Sequence, residues 1–320
     1  MAESFEFEPM EKTQSKLSVA VYAPSGAGKT TAAIKIAMGI RNKLYPGEKL
    51  SDIGLFIDTE RRSSTKAVGR SIGGEVLEPL ELYCFEPPFD IYKLANLVDY
   101  AVTVKNKKII IVDSYTAFWS GVDGILERAS ALDVELGNQK KMYGAWSEKE
   151  IISKKNVLKN LMTNTKAHMI MCFRAKTEYV IEQNSKGKMQ PRAIGLKEDM
   201  QSDVRYEYDC VLSLDKETHG CSVVKDRLGY VEIRDTSENP ESPITVQDGE
   251  ILATLVSEGL SLEEIAKRKV DYYINFILNE KLHKSTKVAQ LETRKGIVFT
   301  EDLLRTFDYD TLSNIVKFIK

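Results

Sequence analysis

The sequence predicts a doubly wound α/β fold: a mainly parallel sheet, extended on one side by antiparallel strands, then a small helical region. Three observations carry this. Short β-branched runs alternate with helical stretches from residue 16 to about 173. One run, KKIIIVD (107–113), is apolar on both faces, as in the middle of a parallel sheet. Beyond it, segments near 177–183, 188–194, 207–214 and 221–225 look like antiparallel strands joined by turns.

The elements follow in order. KLSVAVY (16–22) reads as a buried strand, and TTAAIKIAMGIRNKL (30–44) as the helix after it. DIGLFID (52–58) and ELYCF (81–85) are further strands, and DIYKLANLVDYAVTV (90–104) is a helix. A polar, lysine-bearing helical stretch covers about 135–163, and HMIMCF (168–173) is the fifth strand. DTSENPESPITVQDG (235–249) has linker composition. Past it, Ser261 and Glu264 fit a capping box, and 250–320 reads as amphipathic helix interrupted near KGIVFTED (295–302). The expected organisation is a polar leader (1–15), a core (16–235), a linker (236–249) and a helical appendage (250–320).

Composition removes several function classes. With 42% hydrophobic and 29% charged residues the chain is not a disordered one. No apolar run reaches the roughly 18 residues needed to span a bilayer. The start is acidic and polar, unlike a secretory signal. Cys84, Cys172, Cys210 and Cys221 lack C-x-x-C spacing and read as reduced core residues of a cytoplasmic protein. Only three histidines argue against His-rich metal chemistry. A net charge of -2 means that any nucleic-acid contact must come from local patches.

The strongest motif is Ala23-Pro24-Ser25-Gly26-Ala27-Gly28-Lys29-Thr30, followed by Thr31. It follows an expected strand and opens an expected helix, the setting of a phosphate-binding P-loop. Small residues let backbone amides wrap a β-phosphate at a helix N-terminus. Lys29 would reach the β- and γ-phosphates, and the Thr30 hydroxyl would hold magnesium. Asp113 ends the strand KKIIIVD. It reads either as magnesium's aspartate or as an ordinary strand-end cap; the P-loop favours magnesium.

In helicase-like and AAA+ ATPases the water-activating glutamate usually follows that aspartate. Here Ser114 holds the position. A glutamate stands instead at the end of Phe56-Ile57-Asp58-Thr59-Glu60, which resembles the F-I-D-x-E strand of the RecA family. That resemblance implies a RecA-like ATP hydrolase with Glu60 as general base. Lys225-Asp226-Arg227-Leu228-Gly229 is similar to the K-x-R-x-G segment of RadA and to paired basic residues in KaiC and RecA. By resemblance, Lys225 and Arg227 reach a neighbouring subunit's ATP. Their alternation along an extended segment sends both to one side; the other reading is a solvated basic strand edge. Where RecA has a γ-phosphate-sensing glutamine, this chain has Arg174, either a sensor or a cation acting in cis.

The class carries DNA-contacting loops after the fourth and fifth strands. The matching stretches are basic. Residues 137–160 hold Lys140, Lys141, Lys149, Lys154, Lys155 and Lys159, net +4; residues 176–197 hold Lys176, Lys186, Lys188, Arg192 and Lys197, net +3. Tyr143, Trp146 and Tyr179 lie within or near them, and aromatic platforms with cations suit single-stranded nucleic acid. Two solvated lysine faces are the plainer reading. The run from Arg174-Ala175-Lys176-Thr177-Glu178-Tyr179 to Lys225-Asp226-Arg227 resembles phage-type RecA-like ATPases, including the Sak-family single-strand annealing proteins. This implies a magnesium-dependent ATPase that forms rings or filaments on single-stranded DNA, promotes annealing or strand exchange, and works near a single-strand binding protein. Two alternatives stay open: an ATP-gated KaiC-like or phage-defence scaffold recruiting a partner through 250–320, and a DnaB-like hexameric helicase. Phe5 and Phe7 suggest a docking peptide for a neighbouring protomer.

Overall fold

The computed structural model describes residues 10–137, 144–163, 166–183, 189–200, 202–235, 242–283 and 285–319, with the backbone alone at 177–183, 189–198, 202, 203, 235 and 262. Phe5 and Phe7 lie outside the described residues. The chain forms two compact units, Ser15–Ser257 and the combination of Met1–Gln14 with Glu258–Lys320.

The larger unit holds ten strands: β1 (Ser18–Ala23), β2 (Gly54–Asp58), β3 (Ser71–Ile72), β4 (Glu75–Val76), β5 (Glu81–Cys84), β6 (Ile109–Asp113), β7 (His168–Gln183), β8 (Met189–Glu198), β9 (Cys210–Leu214) and β10 (Cys221–Asp226). Its α-helices are α1 (Lys29–Leu44), α2 (Leu50–Ile53), α3 (Ile91–Thr103), α4 (Thr116–Ser120), α5 (Ile125–Glu135), α6 (Lys149–Thr163), α7 (Tyr230–Asp235) and α8 (Val246–Ser257). The main sheet runs β10-β9-β1-β7-β6-β2-β5, with β8 paired to β7. β1, β2, β5, β6, β7 and β9 are mutually parallel; β10 and β8 are antiparallel to their partners. This is the α/β fold class read from the sequence, a mainly parallel sheet extended by antiparallel strands.

Side-chain alternation explains the two layers. Val19, Val21 and Ala23 of β1 and Ile109 and Ile111 of β6 enter one core, against α1 and α8. Ala20, Tyr22, Ile110 and Val112 enter the other, against α3 to α6. A strand buried on both faces must be apolar throughout, which is why the β6 run was legible. α1 and α8 meet at glycine. A Cβ at Gly39 would lie 2.2 Å from the Val246 carbonyl, and one at Gly249 would lie 2.5 Å from that of Ile36.

Several expectations need correction. The segment expected as an antiparallel strand at 207–214 is β9, which runs parallel to β1. The runs 168–173 and 177–183 are one strand, whose first half pairs with β1 and β6 and whose second half pairs with β8. The helical stretch expected over 135–163 has its described helix only from Lys149, behind a short 3-10 turn at Ala145–Ser147. α5, before it, had no counterpart in the sequence reading. α8, expected within the appendage, belongs to the larger unit because its glycine contact with α1 seals the core.

The smaller unit is helical: α9 (Leu262–Leu282), α10 (Thr286–Lys295), α11 (Glu301–Leu304) and α12 (Tyr309–Ile319). The capping box forms, with Glu264 N–H donating to Ser261 Oγ at 3.1 Å and Ser261 N–H donating to Glu264 Oε2 at 2.8 Å. The expected break at 295–302 is there, with Gly296 in the left-handed region at φ 64. Ile277, Val288, Phe299, Leu304, Leu312 and Val316 form a core of this unit's own.

Candidate nucleotide site

In a parallel sheet the loops at the carboxyl ends of the strands converge on one edge, and ligands bind there. Here β1 runs into the loop 24–28, which opens α1 through Gly28 in the left-handed region at φ 93. The loop forms one wall of a cleft of about 1390 Å³. Ser25, Gly26, Gly28, Lys29, Thr30 and Thr31 line it, with Glu60 and Asp113 from the ends of β2 and β6 and Arg174 from the point along β7 where its pairing with β1 stops. β7 stands between β1 and β6, yet the Thr30 hydroxyl donates to Asp113 Oδ2 at 2.6 Å. Lys29 Nζ donates to the carbonyls of Ala23 and Pro24, at 3.0 and 3.1 Å.

Asp113 is 3% exposed, and its Oδ1 has no hydrogen-bond partner among the described residues. Burial pushes its pKa up to about 6, against the hydrogen bond from Thr30. A buried carboxylate with one oxygen unmatched, beside a hydroxyl, is a donor set of hard oxygens that fits magnesium. Thr30 and Asp113 would hold it. The Asp113–Ser114 peptide is cis, and Thr59 brackets it: the Ser114 N–H donates to Thr59 Oγ1 at 2.8 Å.

Glu60 follows β2 and is half-buried. The Arg174 side chain donates to its Oε1 from Nε at 3.1 Å and from Nη2 at 2.9 Å. The Glu60 N–H donates to Asp58 Oδ1 at 2.6 Å, which fixes the main chain. Thus Lys29, Thr30, Asp113, Glu60 and Arg174 come together in one cleft.

Lys225 and Arg227 do not join it. β10 is antiparallel to β9, and Lys225 pairs with Val211 near the start of β9, which pairs in parallel with β1. Both residues therefore sit at the amino-terminal edge of the sheet, opposite the cleft. Lys225 Nζ donates to the carbonyls of Arg205 and Tyr208 at 2.7 and 2.6 Å, and Arg227 donates to that of Tyr206.

Of the residues expected on nucleic acid, Lys140, Lys141, Lys186 and Lys188 lie outside the described residues, and Arg192 and Lys197 are described by backbone alone, on β8. Lys154 is half-buried, 3.4 Å from Asp90 and 5.0 Å from the centre of the Tyr92 ring. Lys155 lies 5.6 Å from the Trp146 ring, and Lys176 pairs with Asp199 at 2.7 Å. Sequence reasoning missed Arg61, Arg62 and His219. The first two line the cleft after Glu60. The His219 ring lies against the P-loop, its Nδ1 3.8 Å from where a Cβ on Gly28 would stand. No motif marks these three; only the turn geometry brings them in.

Among solved structures, a KaiC-like protein from the hyperthermophilic archaeon Pyrococcus horikoshii OT3 is similar at 14% identity, with a TM-score of 0.34, over 68% of this chain and 79% of that one. No curated protein matches the chain. Among the described residues no helix is long and apolar enough to cross a membrane. Ser114 after Asp113 pointed the sequence reading away from the AAA+ class, whereas the family model that matches residues 15–240 is described as an AAA domain. That match covers the whole sheet and the cleft, and the chain belongs to the AAA domain family of P-loop proteins.

Proposed function

We propose that the chain is a RecA-like ATP hydrolase whose nucleotide state acts on single-stranded DNA, in annealing or strand exchange, as a ring or filament. One observation carries the ATPase part: Lys29, the Thr30–Asp113 pair at 2.6 Å and the Glu60 carboxylate line one cleft.

The chemistry follows from these groups. The loop amides and Lys29 bind the β- and γ-phosphates; Lys29 leaves the Ala23 and Pro24 carbonyls to do so. Thr30 and Asp113 would hold magnesium, which when bound would supply positive charge to the phosphate oxygens. Glu60 takes a proton from water as its oxygen bonds to the γ-phosphorus; the bond to the bridging oxygen breaks and ADP leaves with that electron pair. Both Arg174 hydrogen bonds fall on Oε1, which leaves Oε2 as the oxygen to take the proton. Arg174 begins the stretch of β7 that continues into the β7–β8 hairpin, which carries part of the basic run. That continuity supports a link between the γ-phosphate and a DNA-holding hairpin, with Lys154, Lys155 and Lys176 nearby in sequence. Lys225 and Arg227 lie on the edge opposite their own cleft, so any catalytic role for them would be at a neighbour's nucleotide.

A second reading is an ATP-gated scaffold that recruits a partner. The helical unit with its own core favours it. The deciding experiment is steady-state ATP hydrolysis with and without long single-stranded DNA at two salt concentrations. Stimulation that fades with salt supports the DNA-dependent reading, because phosphate contacts release counterions. Turnover indifferent to DNA supports the scaffold.

A further inference from the structure

We propose that Arg61 and Arg62 are cations supplied in cis to the γ-phosphate end of the cleft, where they stabilise the charge that develops during phosphoryl transfer. The inference deepens the ATPase reading and rests on it.

Both side chains are exposed and line the cleft beside Glu60. Neither guanidinium has a hydrogen-bond or ion-pair partner among the described residues. Arg174, by contrast, is committed to Glu60. Two unpaired arginines beside a carboxylate are two donor forks without acceptors, and a phosphoryl group is the acceptor that fits them.

Their backbone is held against its preference. Arg61 has φ 54 and Arg62 has φ 63, two consecutive non-glycine residues in the left-handed region. Such residues are strained there and persist only where the surroundings enforce the conformation. The enforcing group is Asp58, 1% exposed. Its carboxylate accepts from Glu60 N–H at 2.6 Å and from Ser64 N–H at 3.1 Å, spanning the turn from both sides, and also from the Ser64 hydroxyl. Ser63 N–H closes on the Glu60 carbonyl at 3.2 Å, and Thr65 N–H on that of Arg62 at 3.2 Å. The clamped turn keeps the two arginines on the cleft, next to the residue that takes the proton.

The charge balance needs them. A carboxylate base near a triphosphate raises the local negative charge, and the transition state spreads charge over the γ-phosphoryl oxygens. Lys225 and Arg227 sit at the other edge of the sheet and cannot supply a cation to their own protomer's cleft. Arg61 and Arg62 therefore let a single protomer reach the transition state.

The test uses the full chain and its Arg61→Gln, Arg62→Gln and Arg61→Gln/Arg62→Gln variants. Mg-ADP affinity and Mg-ADP–aluminium fluoride affinity are measured by calorimetry, alongside ATP turnover and thermal melting. The double variant is expected to hold Mg-ADP within about threefold of wild type, while turnover and the affinity for the fluoride complex fall by roughly 10²–10³-fold, as for loss of a transition-state donor. Arg61→Lys/Arg62→Lys keeps the charge and should recover part of both. Equal losses for ADP and its fluoride complex, or no change in either, would overturn the inference. A folding defect would show as a lowered melting temperature shared by the Lys variant, and would also count against it. A wild-type chain that binds no Mg-ADP would instead sink the ATPase reading, and this inference with it.

Discussion

The two edges of the sheet treat their polar groups in opposite ways. At the carboxyl-terminal edge, among the described residues, Asp113 Oδ1 is buried without a partner, Arg61 and Arg62 are unpaired, and Glu60 leaves one oxygen uncommitted. At the amino-terminal edge several polar side chains are tied to the backbone, although the Ser18 hydroxyl there is buried with no hydrogen-bond partner among the described residues. His168 Nδ1 accepts from Leu17 N–H at 3.1 Å, Asp209 accepts from Ser18 N–H at 2.9 Å, and Lys225 caps two carbonyls. An unsatisfied buried group costs stability, and natural folds keep such groups where chemistry uses them. Substitutions at the first edge should therefore change turnover with little change in melting, and those at the second edge the reverse.

The largest effect belongs to Glu60→Gln. It keeps the shape and the Arg174 contact but cannot take a proton. ATP turnover should fall by about 10²–10⁴-fold with nucleotide binding retained. Stopped turnover with unchanged melting would sharpen the contrast; normal turnover would mean that another group is the base.

His168 gives the next effect, at the opposite edge. Because Nδ1 accepts from Leu17, the ring proton is on Nε2, which donates to the Tyr45 hydroxyl at 3.2 Å. Burial, helped by Lys16, lowers its pKa from 6.5 to about 3. The unfolded chain therefore binds more protons below pH 6.5, so stability is lost as pH falls from about 6.5 toward 3, by at most ~1.4 kcal/mol per pH unit. Denaturant melts between pH 7 and 4 should show this slope, and His168→Gln should flatten it. An unchanged slope in the variant would assign the acid sensitivity to another group.

How legible these edges were in the sequence differs for a physical reason. Lys29 and Thr30 could be read from the P-loop motif, and Asp113 and Glu60 because each sits at or just past the end of a strand, which is marked by where an apolar run stops. Arg61 and Arg62 were invisible because their role depends on φ angles enforced by Asp58, and no local pattern encodes those. β7 was read as two strands because Arg174-Ala175-Lys176 breaks its apolar run just where the sheet gives way to the hairpin. The direction of β9 was misread because strand pairing is a long-range choice: its partner β1 lies about 190 residues away in sequence, as the Val19–Cys210 pairing shows. The appendage was extended to α8 because a glycine-to-glycine contact leaves no mark in helical periodicity.

Lys225→Met should cost stability and spare chemistry. It keeps the apolar stem and removes the donor from the Arg205 and Tyr208 carbonyls, a loss of roughly 1–3 kcal/mol. Per-protomer turnover in dilute solution should hold. A large loss of turnover with unchanged melting would place Lys225 among the catalytic cations after all.

Arg227 is the smallest effect and the finest test of the contrast. It is exposed, and its one described side-chain hydrogen bond is to the Tyr206 carbonyl, so Arg227→Ala should move stability by no more than about 0.5 kcal/mol. If the amino-terminal edge is only structural, that is all it does. If this edge completes a neighbour's cleft, the variant should lose turnover only at concentrations where the chain assembles. Mixing it with Lys29→Ala then decides. Each variant lacks a different half of a shared site, so mixed assemblies contain some intact sites and regain part of the activity. Recovery that peaks near equal amounts would mean the two edges are halves of one catalytic unit across an interface. No recovery at any ratio would leave Lys225 and Arg227 as braces of the sheet, and the cleft with its own cations.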